Sequence, residues 1–142
     1  MIRPAVVADA AAITPLLGQL GYPAEPEAVA PRLERLLGAA DAGAIVADFE
    51  DRVIGLAAYQ VIELIYRPLP QCRLTALVVD AEHRRRGAAT VLVAEIESLA
   101  RARSCFRIEV TTQPLRADAL LLYAALGFQP RPVRLVKPIG SG

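Results

Sequence analysis

The sequence predicts an α+β domain in which a mixed, largely antiparallel sheet is flanked by helices on both faces. Three observations support this fold class. Two amphipathic helical stretches follow a short first strand, three β-rich segments then come in close succession, and the last third alternates between helices and strands. This order is typical of helices covering one sheet and differs from a Rossmann repeat.

The first part of the chain contains one predicted strand and two predicted helices. The strand is Ile2–Pro4, and Asp9 has the residue type of an N-cap for the first helix. Leucine and isoleucine recur at helical spacing until Gly21 ends that helix. The second helix begins at Glu25-Pro26 and ends near Gly38.

The middle of the chain predicts an antiparallel meander. Ala44–Phe49 and Val53–Ile62 are β-rich and are joined by a tight hairpin connection at Glu50–Arg52. After a proline-containing loop, Cys72–Val79 has the apolar character of a central strand, with side chains alternating regularly between the two faces.

The remaining elements alternate between helix and strand. A long helix is predicted over Ala88–Arg103 and a strand over Phe106–Thr111. A last helix spans about Asp118–Leu126 and is stopped by Gly127, and Val133–Lys137 predicts a closing strand. At 142 residues the chain has the length of a single domain, which we assign to residues 1–138, with 139–142 as a mobile tail.

Composition excludes several classes of function. The net charge of +1 gives no general reason to bind nucleic acid. The mean hydropathy is +0.37, but the longest uncharged stretch, Ala10–Ala24, is broken by Pro15 and Gly18, so no membrane span is expected. Cys72 and Cys105 form no metal-binding pattern, so no metal is expected. No targeting segment is seen at the N-terminus, which predicts a cytoplasmic protein with reduced thiols.

The loop between the strand ending at Val79 and the helix beginning at Ala88 has the features of a pyrophosphate site. A helix N-terminus offers unpaired N–H groups and the positive end of a dipole. Three arginines supply donors for phosphate oxygens, and three small residues allow close approach. These six residues are Arg84, Arg85, Arg86, Gly87, Ala88 and Ala89. The alternative is that the arginines form a solvated surface before an ordinary helix.

The run Arg84–Ala89 resembles motif A of the GNAT superfamily of acyl-CoA-dependent N-acyltransferases. That motif is an Arg or Gln, two variable residues, Gly, one variable residue, and Gly or Ala, and it lies between a strand and a helix as here. The resemblance covers about Ile2–Pro138 and implies that backbone N–H groups of this loop bind the pyrophosphate of acetyl-CoA, the cosubstrate. It also implies that the pantetheine arm pairs with the strand where it splays, around Leu77, Val78 and Val79.

A second segment, Ala119–Phe128, resembles the family's A-x-x-L-Y-x-x-x-G-F helix and turn. The resemblance implies that Tyr123 is the general acid that protonates the departing thiolate of CoA. The alternative role for Tyr123 is core packing, because it shares a helix face with Leu122 and Leu126.

One departure from the family is found just before this helix. Many relatives have an asparagine where Pro114 and Leu115 stand, so a hydrogen bond to CoA is missing. The residues left to line the site there are Thr111, Thr112 and Arg116, while Asp118 is expected to cap the helix.

The general base and the acceptor are not identified by the sequence. Glu109 and Glu63 are candidates for the base, but both also suit solvated surface roles, and His83 is more typical of a loop residue than of a catalyst. The acceptor site is expected between the two early helices and the Glu63–Gln71 loop, with Tyr22, Glu25, Glu63 and Tyr66 as possible lining residues.

These observations predict an N-acetyltransferase that moves an acetyl group from acetyl-CoA to a primary amine of a small molecule or peptide. The alternative function is a non-catalytic module that binds or senses acyl-CoA with the same fold. Family members often form dimers, so a homodimer is compatible with the sequence.

Overall fold

The computed structural model of the protein describes residues 1–111, 117–131 and 134–140. The elements occur in the predicted order, and short 3-10 turns at Val7–Asp9 and Ala81–His83 separate some of them. Their bounds are β1 (Ile2–Pro4), α1 (Ala10–Leu20), α2 (Pro26–Gly38), β2 (Ala42–Phe49), β3 (Arg52–Ile62), β4 (Gln71–Val79), α3 (Ala88–Ala102), β5 (Ile108–Val110) and α4 (Ala117–Ala125).

The chain falls into two compact units, Met1–Thr111 and Thr112–Gly142. The first unit contains the whole described sheet and helices α1, α2 and α3. The second contains α4 and the turn that follows it. The assignment of residues 1–138 to a single domain stays a prediction.

The sheet has the order β1-β2-β3-β4-β5. The first three pairings are antiparallel and the pairing of β4 with β5 is parallel, which confirms the predicted mixed, largely antiparallel sheet. Between β2 and β3, Glu50 and Asp51 have φ angles of 50° and 61°. Two successive left-handed residues form the type of two-residue turn whose twist suits a hairpin, so the predicted tight connection is confirmed.

Helices cover the two faces of this sheet. On one face, α1 and α2 bury Ile13, Leu16 and Val29 in a cluster with alternate positions of the central strands. On the other face, α3 contributes Leu92, whose Cδ1 lies 3.0 Å from where a Cβ on Gly55 of β3 would be. A side chain at that glycine would therefore require the Leu92 side chain to shift, so Gly55 allows close packing of α3 on the sheet.

The regular alternation predicted along β4 is wrong. Leu74 pairs with Tyr59 and Ala76 pairs with Ala58, so Thr75 is the extra residue of a β-bulge. A bulge changes which face the following side chains occupy. As a result Val78 belongs to the α1 and α2 cluster, whereas Leu74 faces the opposite side.

Two further predictions need correction. Asp9 lies just before α1 but makes no side-chain cap there, because its carboxylate accepts bonds from the Arg3 guanidinium and from the Val6 N–H. The Arg3 bond is the main cause that lowers the pKa of Asp9. The predicted closing strand is also wrong over residues 134–137, which pair with no described strand, and Val133 lies outside the described residues.

Candidate functional site

Strands β4 and β5 separate midway along β4. Their pairing covers only Cys72–Leu74, opposite Ile108–Val110, while β4 continues to Val79. The Asp80 N–H donates to Ile54 of β3 at 2.7 Å. Because bonded and non-bonded pairs alternate along an antiparallel pair of strands, the N–H and C=O groups of Val79 and Leu77 point to the other edge of β4. No described strand pairs with that edge beyond Leu74.

An open edge of this kind offers hydrogen-bonding groups to an extended ligand. Of the three residues predicted to contact pantetheine, Leu77 and Val79 direct backbone groups to the open edge, while Val78 pairs with Leu56 of β3. The Val79 carbonyl already accepts a bond from Arg84 Nε at 3.1 Å. Binding of pantetheine at this edge stays a prediction.

The loop after β4 places its arginines in solvent at the N-terminus of α3. Arg84, Arg85 and Arg86 are exposed, and none of them forms an ion pair with another described residue. The first backbone bond of the helix runs from the Val91 N–H to the Gly87 carbonyl at 3.1 Å. The N–H groups of the residues between them therefore have no acceptor within the helix.

Gly87 leaves room for an anion beside these N–H groups. Its φ is 83°, and a Cβ added to it would meet no atom within 4 Å. Arg85 has a φ of 65°, which is uncommon for a residue with a side chain and often found in ligand-binding loops. The open backbone, the helix N-terminus and the arginines fit the pyrophosphate of an acyl-CoA.

A set of contacts that the sequence did not predict holds the start of this loop. Gln19 of α1 donates to Asp80 Oδ1 at 2.8 Å and accepts from the Ala81 N–H at 2.9 Å. Asp80 Oδ2 lies 2.8 Å from His83 Nδ1. The Gln19 and His83 bonds lower the pKa of Asp80, so its carboxylate is ionised at neutral pH. Gln19 gave no sequence signal because its partners lie 61 and 62 positions away.

Tyr123 lies in the second unit, near the end of α4. The Phe128 N–H donates to the Tyr123 carbonyl at 2.9 Å and the Gly127 N–H donates to Ala124 at 3.1 Å. With Gly127 at a φ of 92°, these bonds form a Schellman motif. The rings of Tyr123 and Phe128 meet edge to face at 5.5 Å. The Gly-Phe pair of the sequence motif therefore ends the helix and packs against the Tyr123 ring.

The candidate bases differ in their surroundings. Glu109 Oε1 accepts a bond from Arg73 at 2.8 Å, and its Oε2 lies 3.8 Å from the Arg107 guanidinium. Both of its oxygens are thus engaged by arginines. Glu63 is exposed, and His83 is tied to Asp80. None of the three is assigned as the base.

The predicted lining residues are only partly described. Tyr22, Glu25, Tyr66 and Thr111 are exposed, as is the acidic residue Asp118 in the first turn of α4. Four residues that the sequence placed near the site, or at the missing asparagine, lie outside the described residues. They are Thr112, Pro114, Leu115 and Arg116.

A cavity of about 570 Å³ lies elsewhere in the first unit. It is lined by α1, by the hairpin between β2 and β3, and by Asp80, and it contains none of the residues Arg84–Ala89. It is therefore distinct from the surface of the loop Arg84–Ala89.

Two other properties concern metals and membranes. Within residues 1–111, 117–131 and 134–140, no three His, Cys, Asp or Glu residues are grouped to hold a metal ion. None of the described helices is long and apolar enough to cross a membrane. Cys72 is buried and unpaired, and burial raises the pKa of its thiol to about 11.

Comparison of the chain with known sequences gives two matches. The model of the Acetyltransferase (GNAT) family matches residues 11–128. The human protein N-acetyltransferase 8 is 30% identical over 84 residues, which make up 59% of this chain and 37% of that protein. The match thus spans little more than a third of the human relative.

Comparison with solved structures shows the same fold in several proteins. The aminoglycoside N-acetyltransferase AAC(6')-Iy, solved in complex with CoA, has a TM-score of 0.87 and 20% identity, over 98% of this chain and 93% of that one. Ribosomal-protein-alanine N-acetyltransferase from Brucella melitensis biovar Abortus 2308 has a TM-score of 0.81 and 20% identity, over 98% and 99%. A protein described as a transcriptional regulator from Bacillus halodurans C-125 has a TM-score of 0.88 and 22% identity, over 98% and 99%.

Proposed function

Because this chain belongs to the GNAT family of acetyltransferases, we propose that it is an N-acetyltransferase acting on a primary amine of a small molecule or peptide. The observation that supports this most is the loop Arg84–Ala89, with an open backbone at Gly87 and N–H groups at the start of α3 that have no acceptor within the helix. We further propose acetyl-CoA as the acyl donor and the cytoplasm as the location.

The proposed binding site uses backbone groups more than side chains. The N–H groups of Arg84–Ala89 hold the pyrophosphate, and the arginine guanidiniums screen its charge. The open edge of β4 at Leu77 and Val79 orients the pantetheine arm by strand-like pairing. When bound, acetyl-CoA supplies an acetyl group activated as a thioester.

The proposed reaction then requires two proton transfers, one from the amine and one to the leaving thiolate. An amine is protonated at neutral pH and must lose a proton before it attacks, and a water is the proposed first acceptor because Glu109 is engaged by Arg73 and Arg107. The Tyr123 hydroxyl is proposed to donate a proton to the departing thiolate. Its ring is held by Phe128, which leaves the role of the hydroxyl to be tested separately from packing.

The second candidate function is a non-catalytic acyl-CoA sensor. The contacts of Glu109 favour it, because they leave no described carboxylate that is assigned as a base. A sensor needs the loop Asp80–Gly87 between β4 and α3, here called the arginine loop, and the open edge of β4. It has no use for the Tyr123 hydroxyl.

Binding and turnover separate these possibilities. We expect saturating acetyl-CoA and CoA each to raise the melting temperature, because both bind the native state. An unchanged melting temperature with both ligands would contradict the proposed site.

Turnover is measured as release of free thiol with a panel of amines. The panel includes a polyamine, an aminoglycoside and a peptide with N-terminal alanine. The last two are chosen because two proteins of the same fold are named as an aminoglycoside N-acetyltransferase and a ribosomal-protein-alanine N-acetyltransferase. Each amine is paired with its N-acetylated form as a control. We expect thiol release above background with at least one free amine, and a product heavier by one acetyl group. Tight binding without turnover would favour the sensor.

A further inference from the structure

The first turn of the arginine loop is held by one side chain from a distant helix. The amide of Gln19, near the end of α1, uses its nitrogen on the Asp80 carboxylate and its oxygen on the Ala81 N–H, at 2.8 and 2.9 Å. Both bonds reach successive residues at the point where β4 ends and the loop begins. The geometry of one amide thus fixes the direction in which the chain leaves the sheet.

Asp80 and His83 extend this contact to two more elements. The Asp80 N–H donates to Ile54 of β3 at 2.7 Å, and the His83 N–H donates to the Asp80 carbonyl at 2.8 Å. The His83 ring meets Phe49 of β2 edge to face at 6.0 Å. The side chains of Asp80 and His83 are only 17% and 12% exposed, so this turn is packed as well as hydrogen-bonded.

Beyond His83 the loop has little other support. Arg84, Arg85 and Arg86 are exposed, and the single described side-chain bond of the three is that of Arg84 to the Val79 carbonyl. The loop is therefore held at one end by the contacts of Gln19, Ile54 and Phe49, and at the other by α3. Ordering a loop before its ligand arrives lowers the entropy lost on binding and so raises affinity.

We propose that Gln19 is a positioning residue for the acyl-donor site, acting through Asp80 and Ala81 to hold the arginine loop ready for the pyrophosphate. This rests on the proposed function only for the identity of the ligand. Gln19 does not touch the ligand in this proposal; it sets the position of the N–H groups that do.

The first test is Gln19→Leu, which keeps the bulk of the side chain and removes both bonds. We expect CoA affinity, measured by calorimetry, to fall about 10-fold, since two hydrogen bonds that order the loop are lost. Amide hydrogen exchange in the ligand-free protein should become faster over residues 81–89. Gln60→Leu, at an exposed glutamine of β3, is the matched control and should change neither measurement.

The second test reverses the polarity of the contact. Gln19→Glu alone places two carboxylates side by side and should weaken CoA binding further. When Asp80→Asn is added, the new carboxylate at position 19 can accept bonds from the new amide at position 80 and from the Ala81 N–H. Affinity and slow exchange should therefore return in the double variant. A role limited to packing of α1 predicts no such rescue.

The outcomes separate this inference from the proposed function. If the natural protein binds CoA, and Gln19→Leu binds it equally well with unchanged exchange over the loop, Gln19 has no positioning role. If the natural protein does not bind CoA, the proposed function and the affinity effect fail together, while hydrogen exchange still decides whether Gln19 orders the loop. Faster exchange throughout α1 and the sheet, without rescue, would show general destabilisation and overturn the proposal.

Discussion

The arginine loop and the turn Tyr123–Phe128 at the end of α4, here called the Tyr123 turn, reach a similar local geometry by different means. Each contains a glycine with a positive φ at a helix end, Gly87 at 83° and Gly127 at 92°. The Tyr123 turn has a Schellman motif and a ring contact that join residues at most five positions apart, as between Tyr123 and Phe128. The start of the arginine loop is held by Gln19, which is 61 positions from Asp80.

This difference predicts how each region responds to substitution. A turn held by neighbours in sequence forms whenever its own helix forms, and its geometry is disturbed mainly by changes within it. A loop held by another helix is sensitive to changes far away in the sequence. The following substitutions test both regions, starting with the largest expected effect.

Gly87→Glu should reduce CoA affinity roughly 1000-fold, because it places a carboxylate where the pyrophosphate is proposed to lie. Calorimetry with CoA measures the loss. Gly87→Ala separates the effect of the added charge from the effect of backbone strain. Its Cβ enters open space, and the positive φ lowers stability by about 1 kcal/mol. Gly127→Ala meets equally open space and should lower stability by a similar amount. Normal CoA binding by a folded Gly87→Glu protein would remove the loop from the proposed site.

Tyr123→Phe should lower kcat roughly 10- to 1000-fold if the hydroxyl protonates the thiolate. The ring contact with Phe128 is preserved, so the melting temperature and CoA affinity should change little. The loss should shrink when the donor thioester has a more acidic thiol, because such a thiolate leaves without a proton. Full activity in this variant would assign Tyr123 to packing alone.

Acidification should loosen the arginine loop before it affects the Tyr123 turn. The pKa of Asp80 is lowered, mainly by the bond from Gln19 and then by His83. Its contribution to stability is therefore present above the unfolded pKa of about 3.9 and is lost as the pH falls through the lower folded pKa.

The measurement compares melting temperatures of the natural protein and Asp80→Asn from about pH 5 to about pH 2. The stability difference between them should narrow as the pH falls. Asp9, whose pKa is also lowered, is present in both proteins, so their difference isolates Asp80. A difference that stays constant with pH would show that Asp80 does not gain stability from ionisation.

Local sequence patterns predicted the elements well and their long-range relations poorly. The spacing of leucines gave α1, α2 and α3, and β-rich runs gave β2, β3 and β4 with bounds close to those observed. The bulge at Thr75 was missed because a single inserted residue leaves the apolar pattern nearly unchanged. The strand predicted at Val133–Lys137 was wrong over 134–137 because apolar residues form a strand only with a partner to pair with.

The sequence by itself determined the fold class, the family and the positions of its two motifs, because these depend on periodicity and on residues close together in the chain. It also contained the Schellman motif after Tyr123, since the two bonds of that motif join residues at most five positions apart. Only the tertiary structure decided where β4 leaves β5, which oxygens of Glu109 are engaged, and which residue holds the arginine loop. Those features depend on contacts between distant segments, and a hydrogen bond from Gln19 to Asp80 exists only once α1 has packed against the sheet.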